Sequence, residues 1–94
     1  MDNIYIVSYD LSDPGQRYDE LISKIKESSA WAKLGGSSYL LKSNKEPTTL
    51  RDYYQQSLDS NDKLYIGKVS APAAWCGMPQ DVSDWIRKQL KPKK

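Results

Sequence analysis

The sequence predicts one α+β domain, with four strands and three helices in the order βαββαβα. The chain has 94 residues and a mass of 10.7 kDa, which is the size of one small domain. Its 38% hydrophobic and 28% charged residues are the balance of a folded protein rather than of a disordered chain. The apolar residues change spacing along the chain, from the runs typical of strands to the three- and four-residue steps of amphipathic helices. We therefore expect strands and helices to alternate around one core.

The first strand and the first helix are predicted from the N-terminal third of the chain. Strand β1 spans Asn3–Asp10, whose β-branched and aromatic residues are apolar on both faces up to Ser8, as in a central strand. A turn follows, and helix α1 is predicted over residues 16–28. The helical stripe of α1 consists of Tyr18, Leu21, Ile22 and Ile25.

A hairpin and a second helix are predicted next. Gly35 and Gly36 favour a turn or a bulge, because glycine adopts positive φ angles easily, so we expect β2 over residues 30–34 and β3 over 37–43. Thr48, after a proline that breaks the strand, is the predicted N-cap of helix α2. The stripe of α2 consists of Leu50, Tyr53, Tyr54 and Leu58.

The last two elements follow a loop of turn-forming residues at 59–62. Strand β4 is predicted at Lys63–Val69 and helix α3 at residues 81–90. The residues of α3 expected to face inward are Val82, Trp85, Ile86 and Leu90. All three tryptophans, Trp31, Trp75 and Trp85, are predicted to be mostly buried.

This order of elements predicts a ferredoxin-like βαββαβ sandwich with an additional C-terminal helix, in residues 1–90. Residues 91–94 are predicted to be a basic tail. In such a sandwich the helices cover one face of the sheet, and the other face meets solvent, a ligand or another copy. Because β1 is apolar on both faces, we expect a homodimer through the uncovered face.

The cysteine and histidine counts exclude several kinds of chemistry. With Cys76 as its one cysteine and no histidine, the chain cannot form an internal disulfide, a multi-thiolate metal site or a histidine-dependent nucleophile. A single thiol favours the reducing cytoplasm. The sequence shows no export leader and no apolar run of about 18 residues, so we expect neither export nor a membrane span.

The formal net charge of +2 is unevenly distributed. Twelve acidic and nine basic residues precede Arg87, and five basic residues lie from Arg87 onward. The basic C-terminus either contacts phosphates or is simply solvated. The acidic body argues against a broad basic groove for nucleic acid.

Asp10 is the principal candidate for chemistry, because it places a carboxylate at the end of an apolar strand. One interpretation is a turn residue whose side chain bonds the following backbone. In the other, Asp10 from each of two subunits holds one Mg²⁺, an ion that takes one or two carboxylates and completes its octahedron with water and phosphate. A metal-bound water would then hydrolyse a phosphodiester without histidine.

Ser8, Ser37, Arg17 and Arg51 are candidate nucleic-acid contacts. Ser8, Ser37 and Ser38 either donate to a phosphate at the end of the sheet or are ordinary strand hydroxyls. The two arginines either contact phosphates or pair with neighbouring aspartates. Tyrosines and tryptophans at helical spacing are assigned to the core rather than to base stacking.

A set of segments over nearly the whole chain carries a resemblance to known proteins. The segments are residues 6–11, Pro14 and Gly15, Tyr18, Trp31, the strand that contains Ser37, and residues 50–52, 59–64, 73–77 and 85–86. Together they resemble small bacterial and phage proteins labelled SinR-like. Those proteins are similar to the Cas-two family, the ferredoxin-like homodimers of CRISPR systems, and to VapD-like toxins. Both groups are associated with metal-dependent nuclease activity.

The resemblance implies roles for individual residues. Asp10, between Tyr9 and Leu11, matches the position of the metal-binding aspartate of the Cas-two family, and Arg17 lies where that family often has a basic residue. The Cas-two pattern usually continues into a C-terminal strand that pairs with the partner subunit. This chain has residues 73–77 and an amphipathic helix there instead. Members of the family also serve as structural dimers that bind DNA ends without catalysis.

Two functions are therefore predicted. In the first, the protein is a Cas-two-like homodimeric endonuclease that uses Mg²⁺ on RNA or DNA, with Asp10 as the catalytic metal ligand. In the second, it is a non-catalytic dimer of the CRISPR- or toxin-related type that binds nucleic acid or protein, and Asp10 is a turn residue.

Overall fold

The structure, a computed structural model, describes residues 2–12 and 18–90. Its elements follow the predicted order, and the predicted tail at 91–94 lies outside the described residues. They are β1 (Asn3–Asp10), α1 (Tyr18–Ile25), β2 (Ala30–Gly35), β3 (Ser38–Ser43), α2 (Pro47–Gln55), β4 (Lys63–Val69) and α3 (Gln80–Gln89). The prediction of a small α+β fold is thus confirmed.

The four strands form one antiparallel sheet in the order β2-β3-β1-β4. The long apolar strand β1 lies inside the sheet, as its sequence predicts, and β2 and β4 are the edges. The β2–β3 hairpin has the irregularity expected at the glycine pair, a register shift between Lys33 and Gly35. The arrangement is compatible with a ferredoxin-like sandwich.

One face of the sheet packs against α1 and α2. Tyr5, Val7 and Tyr9 alternate along β1 and are almost completely buried, and they meet Leu21 and Ile25 of α1. The remaining buried members of this first core are Leu11, Tyr39, Leu41, Leu50 and Tyr54. The stripe predicted for α2 therefore faces the sheet, as do Leu21, Ile22 and Ile25 of the stripe predicted for α1.

The opposite face is covered over part of its area by α3, which corrects the expectation that helices cover one face only. Ile4 of β1 and Leu40 of β3 pack against Ile86 of α3, and all three are buried. The partly buried members of this second core are Ile6, Leu34, Val69, Trp75, Val82, Trp85 and Leu90. The inward stripe predicted for α3 is confirmed. Because α3 covers this apolar area within one chain, the area gives no reason for a homodimer.

Two helix ends differ from the predictions. Helix α1 ends at Ile25 rather than at residue 28, because the N–H groups of Glu27 and Ser28 bond carbonyls three residues back and form turns. Helix α2 begins at Pro47, with Glu46 as an N-cap that makes no side-chain cap hydrogen bond. Proline suits this first position because it lacks an N–H and its φ is already helical. The predicted cap at Thr48 is wrong, since Thr48 lies inside the helix.

Two of the three tryptophans pack against a core, as predicted. Trp75 and Trp85 are partly buried against the second core, and the Trp75 indole N–H donates to the Ser83 hydroxyl at 3.0 Å. Trp31 is 37% exposed, because β2 is an edge strand with a neighbouring strand on one side only. The Lys26 ammonium lies 4.8 Å from the Trp31 ring centroid.

Within residues 2–12 and 18–90, no helix has the length and the apolar character needed to cross a membrane.

Candidate functional site

The part of the sheet that α3 leaves uncovered brings together polar ends of three strands. Ser8 and Asp10 lie on the α3 side of β1, and the strand register places Ser38 and Tyr65 opposite Ser8, and Lys63 opposite Asp10. Residues directly opposite each other in an antiparallel pair share a face of the sheet. We call these five residues the Asp10 patch. None of them belongs to either core.

The Asp10 carboxylate is exposed at the end of β1. Although Lys63 lies opposite it in the register, no ion pair links Asp10 to any side chain of the described part of the chain. Asp10 therefore has the solvent access that a cation or a phosphate-bound metal requires.

The backbone just beyond Asp10 is fixed by Asp62, fifty residues away in sequence. One oxygen of Asp62, Oδ1, accepts hydrogen bonds from the Ser12 N–H at 2.8 Å and the Ser12 hydroxyl at 3.0 Å. The other, Oδ2, accepts from the N–H of Asp59 at 2.8 Å. The loop at residues 59–62, which the sequence predicts only as a turn, thus fixes the backbone that follows β1.

We predict that Asp62 titrates below the ordinary aspartate value of 3.8 in a carboxyl NMR titration. The N–H groups of Asp59 and Ser12 stabilise its anion and lower its pKa. A lowered folded-state pKa stabilises the fold above the unfolded value, and that contribution is lost as the pH falls through the folded value. Asp62→Ala should therefore remove this part of the pH dependence of unfolding and speed amide exchange at Ser12.

The matched control is Asp59→Ala, because Asp59 contributes its backbone N–H, which this variant keeps. Equal amide protection of Ser12 in Asp62→Ala and in the wild type would contradict the anchoring role of Asp62.

The other predicted contacts are distributed unevenly. Ser37 is exposed in the hairpin turn at the same end of the sheet, where its carbonyl accepts the N–H of Tyr9 at 3.1 Å. Arg51 lies on α2, which packs against the opposite face, and its guanidinium donates to Asp52 at 2.9 and 3.1 Å. Arg17 lies outside the described residues. The structure thus groups Ser8, Ser37 and Asp10 but not Arg51.

Lys63 and Tyr65 were not among the residues predicted from the sequence. The sequence of β4 does indicate one polar side of the strand. Lys63, Tyr65 and Gly67 alternate there with the more apolar Leu64 and Ile66. Only the register of β4 against β1 shows that this side adjoins Asp10.

The described residues contain no group of three or more histidine, cysteine, aspartate or glutamate side chains that could hold a metal ion. A closed protein cage for zinc is therefore not formed by this part of the chain. A single exposed carboxylate such as Asp10 fits an ion that keeps several waters, as Mg²⁺ does.

A solved structure similar to this chain is the crystal structure of a hypothetical protein from Thermus thermophilus. The TM-score is 0.69 and the identity 22%, over 83% of this chain and 94% of the other. At this identity the similarity shows a shared fold and nothing about activity. No protein-family model matches the chain, and no curated protein is similar to it.

Proposed function

We propose that the protein is a Cas-two-like homodimer with a ferredoxin-like fold that cleaves RNA or DNA with a divalent metal ion held by Asp10. The observation that carries this proposal is the exposed Asp10 carboxylate at the end of central strand β1, beside the hydroxyls of Ser8 and Ser38. Without histidine, a divalent metal ion that activates a water is one route to phosphodiester hydrolysis near neutral pH. A carboxylate at a strand end, beside hydrogen-bond donors, suits such an ion and a phosphate.

Mg²⁺ is the ion that this donor set favours. Asp10 would hold it, with waters and phosphate oxygens as the remaining ligands. When bound, the ion supplies an activated water and offsets charge on the phosphate.

The chain's own residues have separate roles in this proposal. The hydroxyls of Ser8 and Ser38 donate to the phosphate, and the Lys63 ammonium attracts it from the opposite strand. Asp62 acts as a positioning residue, because its bonds to Ser12 fix the backbone that follows Asp10. These side chains would bind and orient the phosphate.

The homodimer belongs to the proposal because each chain offers one such carboxylate at the end of β1. Two copies would place two carboxylates on one ion, which is the upper number that Mg²⁺ ordinarily takes. Since α3 covers the apolar part of its face, the two copies would meet elsewhere. The single cysteine is consistent with a cytoplasmic setting.

The test is the Asp10→Asn variant, which keeps the shape of the side chain but weakens a site for a hard cation. We expect nuclease activity in Mg²⁺ or Mn²⁺ to fall at least about tenfold, or about 1.4 kcal/mol of transition-state stabilisation. Circular dichroism and sedimentation should match those of the wild type. Asp59→Asn is the matched control, since it removes an exposed carboxylate from the neighbouring turn.

Three outcomes would contradict the proposed nuclease or the proposed homodimer. Cleavage that persists in Asp10→Asn or in excess chelator would assign the activity to another site. An inactive wild type under every metal would favour the non-catalytic dimer that binds nucleic acid or protein. A single species of 10.7 kDa in sedimentation at micromolar concentration would exclude the homodimer.

A further inference from the structure

Tyr65 is a large aromatic side chain that the packing of the fold does not explain. It is 65% exposed, more than Trp31, the other exposed large hydrophobic residue of the described chain. Its hydroxyl makes no hydrogen bond to the described residues, whereas those of Tyr5 and Tyr53 donate to the Lys45 carbonyl and the Glu27 carboxylate at 2.8 and 2.7 Å. Tyr65 therefore stabilises neither core.

Gly67 gives the Tyr65 ring a defined position along the strand. A Cβ atom on Gly67 would lie 2.8 Å from the Tyr65 hydroxyl oxygen and 2.9 Å from its Cε2, closer than real atoms approach. The ring thus leans along β4 over the glycine instead of projecting away from the sheet. A ring that lies along a sheet and is largely exposed can receive another planar group against it.

We propose that Tyr65 is a stacking platform for an unpaired nucleobase, so that the Asp10 patch binds single-stranded nucleic acid. Lys63 precedes Tyr65 by two residues on the same face, which separates them by about 7 Å along the strand. Ser8 lies opposite Tyr65, and Asp10 lies opposite Lys63. A ring, a cation and hydroxyls on one face of the sheet are the groups that stack on a base and contact its phosphate and sugar.

The chemistry of the patch favours a single strand over a duplex. Bases within a duplex are stacked on each other, so Tyr65 can stack only on a base that is unpaired or splayed out. This inference rests on the proposed function in one respect, the divalent ion on Asp10. Without the ion, the charges of Asp10 and Lys63 cancel, and with the ion their sum would be positive. That change provides the charge complementarity to phosphate.

The test is the affinity of a fluorescently labelled oligothymidylate for the full chain, measured by anisotropy with and without Mg²⁺. Tyr65→Ala should weaken binding by about fivefold to 150-fold, which corresponds to about 1–3 kcal/mol of stacking per base at tenfold per 1.4 kcal/mol. Tyr65→Phe should bind like the wild type because it keeps the ring. Gly67→Ala should weaken binding although the ring is present, because the new methyl group displaces it.

Trp31→Ala is the matched control, since Trp31 is an exposed aromatic residue on the other edge strand. It should leave the affinity unchanged. Lys63→Ala should reduce the slope of log affinity against log salt by about 0.7, the value for one phosphate contact on a single strand. An unchanged slope would overturn the assignment of Lys63 to the phosphate.

Two results with the wild type would overturn the stacking platform: no binding of the oligonucleotide, or equal affinity for a duplex of the same length. Two results with Tyr65→Ala would also overturn it. These are an unchanged affinity and a change from dimer to monomer. The last result would make the patch a contact between copies. Failure of the nuclease proposal is distinguishable. Binding that depends on Tyr65 without cleavage by any metal would refute the nuclease and retain the platform.

Discussion

Tyr54→Ala should lower the free energy of unfolding by about 3–5 kcal/mol, the range for removing a buried aromatic side chain. Tyr54 is 1% exposed and is among the largest fully buried side chains. It connects α2 to the sheet through the first core, which includes Val7 and Leu41. Because a small domain has about 5–15 kcal/mol of stability in total, this variant should unfold at a much lower urea concentration, as followed by circular dichroism.

Gln55→Ala is the matched control for this prediction. Gln55 is the next residue of α2 and is exposed, so its truncation should change stability by less than about 0.5 kcal/mol. Equal urea midpoints for Tyr54→Ala and Gln55→Ala would contradict the packing of α2 against the sheet.

The core of this fold was predictable because hydrophobic spacing determines which residues are buried. Leu21 and Ile25 of α1 and Leu50 and Tyr54 of α2 follow helical spacing, and all four are buried. The position of α3 was not predictable in the same way. Its stripe shows that Ile86 faces inward, but spacing along one helix carries no information about which face of the sheet the helix covers.

Trp31, on an edge strand, is a second case in which the local sequence does not predict burial correctly. Its residue type and strand context predict burial, yet its exposure is decided by the strand order, which places β2 at the edge. Strand order depends on contacts between residues far apart in the chain, and a local pattern does not contain them.

The residues of the candidate site also differ in whether the sequence alone predicts them. Asp10 was identifiable because the strand that it ends is unmistakable in the sequence. Tyr65 and Lys63 adjoin it only through the pairing of β1 with β4, and Asp62 reaches Ser12 across fifty residues. A single sequence shows the polar side of β4 but not what lies opposite. The residues that surround Asp10 therefore required the sheet register.

Ile86→Ala should lower the free energy of unfolding by about 2–5 kcal/mol, because it leaves a cavity between α3 and the sheet. Ile86 is 2% exposed and packs against Ile4 and Leu40. Urea denaturation measures this loss, and sedimentation of the same samples measures the mass. Lys88→Ala is the matched control, since Lys88 is exposed on the same helix and its truncation should change stability by less than about 0.5 kcal/mol.

The Ile86 result also decides where two copies of the chain can meet. An unchanged stability in Ile86→Ala, together with the mass of a dimer, would show that α3 does not cover Ile4 and Leu40 in solution, which leaves these residues for a second copy. The expected loss of stability means that this apolar area is closed within one chain. Two copies would then have to join through other surfaces, such as the edges of the sheet at β2 and β4. Because β4 carries Tyr65 and Lys63, a dimer through that edge would set the two Asp10 patches side by side.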